Sequence, residues 1–198
     1  MNIKLYNTAS RSIEEFVPID ENEIHVYSCG PTVYHYAHLG NMRAYVFADI
    51  LQRTLKTKYA KVKHVINITD VGHLVSDGDT GEDKLEKGSA REGKSVWDVA
   101  QFYTDAFMSD LERLNIDKNN FIFPRATDYI AEQVAIVKAL EDKGYTYTTS
   151  DGVYFDTSKW GKYADFAKLK IDSLNAGERV DMGEKKHATD FALWKFSP

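Results

Sequence analysis

Hydrophobic and polar positions alternate along the chain in blocks that read as a mixed α/β fold. Ile24-His25-Val26-Tyr27-Ser28-Cys29 is short, β-branched and apolar enough for a buried strand, and Gly30-Pro31 ends it. Beyond His38-Leu39-Gly40-Asn41, Phe47, Ile50, Leu51 and Leu55 fall at helical spacing. Val62 to Ile68 is a second strand. Strand, helix and strand within about fifty residues make a βαβ unit, expected to be parallel and right-handed, the opening of a nucleotide-binding type of sheet. The glycine-rich, charged stretch Asp70 to Lys94 reads as a mobile loop with a short helix around Lys84 to Ala90.

The pattern then strengthens. Ser95 and Asp98 form a capping-box-like start to a helix carrying Val96, Ala100, Tyr103, Phe107, Leu111 and Leu114. Phe121-Ile122-Phe123 is a short strand closed by Pro124. A further helix is expected to be capped by Thr127 and stopped by Gly144, with Ile130, Val134, Val137 and Leu140 inward. Tyr145 to Asp156 alternates around Ser150-Asp151-Gly152, a hairpin signal. No internal repeat or low-complexity tract is present.

Composition narrows the classes. Of 198 residues 43% are hydrophobic and 28% charged, which excludes a disordered or collagen-like chain. A chain this long buries about 70% of its extended surface and needs no disulfide to hold a core. No apolar run reaches the roughly 20 residues of a membrane span, and Lys4, Asn7 and Thr8 interrupt any signal-peptide core, so no membrane partner is expected. The net charge of −5 argues against nucleic-acid binding driven by overall charge, while a local basic patch stays open. The single cysteine, Cys29, excludes an internal disulfide and suits a reducing cytoplasm.

Candidate chemistry concentrates between Cys29 and Asn41, where the end of a strand meets the start of a helix. Ligands of open α/β sheets bind at that edge, and free N–H groups at a helix start favour phosphate. His38 can donate to phosphate oxygens, Gly40 permits close approach of a base or ribose, and Asn41 can cap the helix or donate to a ligand. An ordinary turn with a satisfied histidine is the competing interpretation. Cys29 is open to three: a small buried hydrophobe, a nucleophile that needs a base, or a zinc ligand that needs three partners. The other histidines (His25, His35, His64, His73 and His187) are scattered and complete no site by spacing. Asp77 to Asp83 fails the calcium-loop template and reads as a solvated acidic loop.

Taken together, Cys29-Gly30-Pro31-Thr32-Val33-Tyr34 and His38-Leu39-Gly40-Asn41 resemble the signature of cysteinyl-tRNA synthetases, whose class I "HIGH" element has this form. Leu5 to Thr8, Asn67 to Leu74, Gly81 to Lys84, Pro124 to Thr127, Ala176 to Asp181 and Asp190 to Lys195 resemble the same family in the same order. The resemblance implies the first half of a Rossmann-like (HUP-type) parallel-sheet catalytic domain over 1–124. A connective-peptide α+β insertion over 125–189 and the start of the second half at 190–198 would follow. It also implies that the remaining zinc ligands, the KMSKS loop and an anticodon-binding domain belong to a longer protein, and that this portion alone is poorly active.

By the same resemblance Cys29 would be a Zn2+ ligand and, with Gly30, Thr32, Asn67 and Thr69, would form the cysteine pocket, Ile68 adding backbone contacts. Pro31, Thr32, His35, His38, Gly40 and Asn41 would hold ATP with its Mg2+, with His38 and Asn41 catalytic. L-Cysteine, ATP and tRNA(Cys) are the implied partners, and the cytoplasm the implied location. The cysteine ligase of mycothiol synthesis and a non-catalytic nucleotide- or RNA-binding module are the alternatives.

Overall fold

The computed structural model describes residues 2–72, 89–90, 92–166 and 183–196. The chain divides into two compact units, the first holding most of the described residues up to Tyr129, the second Tyr6–Ser12 and those from Ile130 onward. The acidic run 77–83, the motif stretches 81–84 and 176–181, and His73 and Leu74 lie outside the described residues. So does most of the short helix expected near 84–90, of which Ser89 and Ala90 are helical.

Strands β1 (Lys4–Asn7) and β2 (Ser12–Glu15) form a two-stranded sheet. The sheet that carries the site is three-stranded: β3 (Ile24–Ser28), β4 (Val62–Ile66) and β5 (Phe121–Ile122), in that order and all parallel. The register runs from Ile24 opposite Val62 to Ser28 opposite Ile66. Between β3 and β4 the chain crosses through α1 (Leu39–Lys56), and between β4 and β5 through α2 (Val96–Arg113). This is the βαβ opening that the spacing calls for.

Helix α2 follows its pattern closely. Ser95 Oγ accepts from the Asp98 N–H at 3.1 Å and donates to the Asp98 carboxylate at 2.7 Å, so Ser95 caps the helix while the shorter Asp98 side chain meets the serine hydroxyl and not the Ser95 N–H that Glu or Gln would reach. Val99, Ala100, Tyr103, Phe107 and Leu111 are buried with Ile66, Ile68 and Phe121 in one core, while Leu114 lies past the helix end and is exposed. Helix α1 turns differently from expectation. Its inward face is Met42, Tyr45, Ala48, Asp49, Gln52 and Leu55, which leaves Phe47 63% and Ile50 56% exposed. The reason is that two inward positions are polar. Gln52 donates to the carbonyls of Asn120 and Val62, and Asp49 accepts from Arg53, which offsets part of the cost of burying them, although Asp49 Oδ1 and Gln52 Oε1 are buried without a partner.

In the second unit, α3 (Ile130–Asp142) buries no residue fully. Ile130 is exposed, and Val134, Val137 and Leu140 are half-buried, so the expected inward stripe is only partly covered. Thr127 does not cap this helix: its hydroxyl donates to Asp70, within the first unit. Gly144 does end it, at φ 73°. The hairpin is present as β6 (Thr146–Thr148) and β7 (Gly152–Phe155), and β8 (Phe191–Lys195) adds antiparallel to β7. The segment where the sequence suggests a second half-sheet thus supplies the third strand here. Asp190, 2% exposed, ties the unit together. Its carboxylate accepts from the Thr157 N–H and hydroxyl, the Tyr147 hydroxyl and the His187 N–H, at 2.8–3.0 Å.

Candidate active site at the carboxyl edge of the parallel sheet

The site is built by extending the strand pairing beyond the strands. Past β3 and β4 the chains stay side by side: Thr69 N–H donates to the Pro31 carbonyl (3.0 Å), Val33 N–H donates to the Thr69 carbonyl (3.2 Å), and Thr32 and Thr69 form a parallel bridge. Gly30 is required by this approach. A Cβ there would stand 1.5 Å from the Asn67 carbonyl oxygen. Asn67 holds the turn with its amide: Oδ1 accepts from the Gly30 N–H and from the Tyr27 hydroxyl, both at 2.8 Å, and Nδ2 donates to Thr69 Oγ1 at 3.0 Å. Its side chain is committed to protein groups. Val33, 1% exposed, roots the turn in the core.

His38 is the N-cap of α1. Its Nδ1 accepts from the Gly40 N–H at 3.0 Å, and Asn41 Oδ1 accepts from the His38 N–H at 3.1 Å, a reciprocal capping box. With Nδ1 an acceptor, the neutral ring carries its proton on Nε2, a donor that remains available on an exposed side chain. A Cβ on Gly40 would meet His38 Cε1 at 2.8 Å, so glycine leaves room for the imidazole. Asn41 Nδ2 has no partner among the described residues and can donate outward, so Asn41 both caps and offers a donor. His35 stands apart from this group, its ring parallel to Tyr103 with centroids 6.0 Å apart and Nδ1 3.3 Å from the Tyr36 carbonyl.

Cys29 is exposed and lines a cleft of about 490 Å3, together with Ser28, Gly40, Arg43, Tyr45 and Phe47. The thiol therefore faces the mouth of the sheet and not the core. Burial, and secondly the nearby Cys29, pushes the Tyr45 pKa up to about 12, and the same two causes raise that of Tyr27. The metal expectation fits less well. Zinc takes about four ligands, and the one group of three His, Cys, Asp or Glu ligand atoms found among the described residues is Asp156, His187 and Asp190 in the second unit. Cys29 has no such companions there, so these residues alone do not make a zinc centre.

Three cleft residues escape sequence reasoning. Ser28 sits inside a strand pattern, and Tyr45 is an aromatic at helical spacing, core by default. Arg43 had one usable signal: a cation just inside a helix start, where the dipole favours an anion instead. A motif connection also appears. Asp70, 2% exposed, accepts from the Thr127 N–H (3.1 Å) and hydroxyl (2.7 Å), with Arg125 4.0 Å away, which joins the Asn67–Asp70 and Pro124–Thr127 stretches physically.

Parallel strands joined through helices, with a strand-to-helix turn at their carboxyl edge, define an α/β domain of the partial Rossmann-like kind. The family described as tRNA synthetases class I (C) catalytic domain matches residues 15–198, and the chain belongs to that family. Among curated relatives, a cysteine–tRNA ligase 1 of Burkholderia lata is 52% identical over 198 residues, 100% of this chain and 42% of that protein. Cysteine–tRNA ligases of Zymomonas mobilis and Treponema denticola are 49% and 47% identical over 195 residues, 98% of this chain and 37% and 39% of theirs. The chain thus spans about two fifths of the length of these relatives. A solved ternary complex of an Agrobacterium radiobacter LeuRS with tRNA and LeuAMS aligns over 70% of this chain and 17% of that one, at 20% identity and a TM-score of 0.49. No described helix is long and apolar enough to cross a membrane.

Proposed function

We propose that this chain carries the first half of the active site of a cytoplasmic cysteine–tRNA ligase, which activates L-cysteine with ATP and transfers it to tRNA(Cys). The observation that carries the reading is the turn from Cys29 to Asn41: an exposed thiol and an outward imidazole Nε2–H at the carboxyl edge of one parallel sheet. Residues 125–189 would be the connective insertion of that enzyme.

In the activation step the cysteine carboxylate attacks the α-phosphorus of ATP in line. The new carboxyl–phosphorus bond forms as the bond to the bridging oxygen breaks, and its electron pair leaves on pyrophosphate, giving cysteinyl-adenylate. No protein nucleophile is needed. His38 Nε2–H and Asn41 Nδ2 would donate to phosphate oxygens whose charge grows, at the positive end of the α1 dipole. Gly40, Pro31 and Thr32 would shape the nucleotide seat, with Mg2+ arriving on ATP. His35 would reach the nucleotide from the rim. Cys29, Gly30, Thr32 and Thr69 would bound the amino acid, with Asn67 holding their geometry. Cys29 would give one thiolate to a zinc ion in the complete enzyme.

Cysteine-dependent exchange of labelled pyrophosphate into ATP by the full protein tests this. Exchange that rises with cysteine and not with serine is expected. Exchange indifferent to cysteine would overturn the reading. The 198 residues alone are expected to exchange weakly.

A further inference from the structure

Asn67, Ile68, Thr69 and Asp70 form a short segment held between two neighbours at the carboxyl edge of the parallel sheet. On one side it runs beside residues 31–33 through the Thr69 pairing. On the other, the Ile68 N–H donates to the Pro124 carbonyl at 2.8 Å and the Ala126 N–H donates to the Ile68 carbonyl at 2.9 Å. Ile68 and Arg125 form a parallel bridge there. The segment is the middle chain of three that prolong the sheet toward the site.

Its side chains are anchored in opposite directions. Asn67 reaches back to Gly30 and Tyr27 on the β3 chain, and Ile68 is wholly buried. Asp70 reaches forward to Thr127, accepting its N–H on Oδ1 and its hydroxyl on Oδ2. Thr127 belongs to the 3-10 turn Ala126–Tyr129 that leads into α3. This last anchor is the costly one. A carboxylate 2% exposed has given up most of its hydration, and the Arg125 guanidinium stands 4.0 Å off, donating to Gln101 at 2.7 Å. An apolar pair would join the two chains at less cost. What the carboxylate adds is direction, because two bonds to one residue fix how that residue sits.

We propose that Asp70 and Thr127 are positioning residues for the activation step: their two-bond clamp fixes the backbone at Thr69 against the root of the proposed insertion. The inference rests on the cysteine-activation reading, in which Thr69 bounds the amino acid. Neither residue has to touch substrate, since a displacement of about 1 Å at a reacting group can cost about 10²-fold in rate. The nucleotide is insulated from the clamp. His38, Gly40 and Asn41 are held by their own capping box, which closes without Asp70.

Pyrophosphate exchange by the full protein, with KM measured separately for L-cysteine and ATP, tests the clamp. Thr127→Val keeps the shape and the N–H bond but removes the hydroxyl. It is expected to raise the cysteine KM about tenfold and to leave the ATP KM within about twofold. Thr127→Ser, which keeps a hydroxyl, should stay near the wild-type cysteine KM. Asp70→Asn can meet the same two groups, Oδ1 accepting the N–H and Nδ2 donating to the hydroxyl oxygen, so it should also stay near wild type, whereas Asp70→Ala should be impaired at least as much as Thr127→Val. Partial unfolding lowers the active fraction and the apparent kcat but not KM, so the KM change separates positioning from fastening. An unchanged cysteine KM in Thr127→Val, equal rises in both KM values, or a Thr127→Ser protein as impaired as Thr127→Val would overturn the clamp even though wild-type exchange depends on cysteine. Wild-type exchange indifferent to cysteine would instead overturn the activation reading.

Discussion

Two positions in the turn are fixed by sterics and hydrogen bonding so tightly that substitution separates their duties. At Gly30 a methyl group would overlap the Asn67 carbonyl. Gly30→Ala must part the paired segments and break the Gly30–Asn67 bond, so a loss of more than about 3 kcal/mol in denaturant unfolding is expected. His38 has two tasks, one per ring nitrogen. His38→Asn keeps a good N-cap but loses the outward Nε2 donor, so unfolding should change little while pyrophosphate exchange falls about 10²–10³-fold. His38→Ala should show the same catalytic loss plus about 1 kcal/mol of stability. Equal stability in the two variants would show that the cap contributes nothing.

At the scale of elements, periodicity located every strand and helix of the parallel sheet but not every face. The α1 stripe was misread because Asp49 and Gln52 belong to the buried side, and their hydrogen-bond partners, Arg53 and the Val62 and Asn120 carbonyls, are visible only in three dimensions. Thr127 reads as a helix cap from its position, yet its partner Asp70 lies 57 residues away. Spacing left Cys29 open, and its exposure at the cleft is visible only in the fold, whereas the capping role of Asn41 was legible because it lies in local spacing. Ser28 and Tyr45 were not, since nothing in a strand or helix pattern says which side a cleft opens.

His64 gives β4 a pH dependence. Burial lowers its pKa below the ordinary 6.5, so the unfolded chain binds the proton first. The stability associated with this residue is complete above about pH 6.5 and is lost as pH falls from there through the lower folded-state value. Denaturant midpoints measured at pH 7.5 and 5.5 should differ, and His64→Phe should remove part of that difference.

For the molecule as a whole, each compact unit has its own fastening. Asp190 receives four donors in the second unit. Asp190→Ala leaves those donors stranded, so faster amide exchange is expected along β6, β7 and β8, with α2 and β3 unaffected. Exchange accelerating uniformly in both units would contradict separate fastening.

The lone sulfur has a practical corollary. Because these 198 residues hold one cysteine, and that one is solvent-facing at the cleft, a maleimide dye has a single address on them. The label lands where a small molecule would arrive. Shielding of Cys29 from alkylation thus becomes a gauge of occupancy that needs no turnover at all.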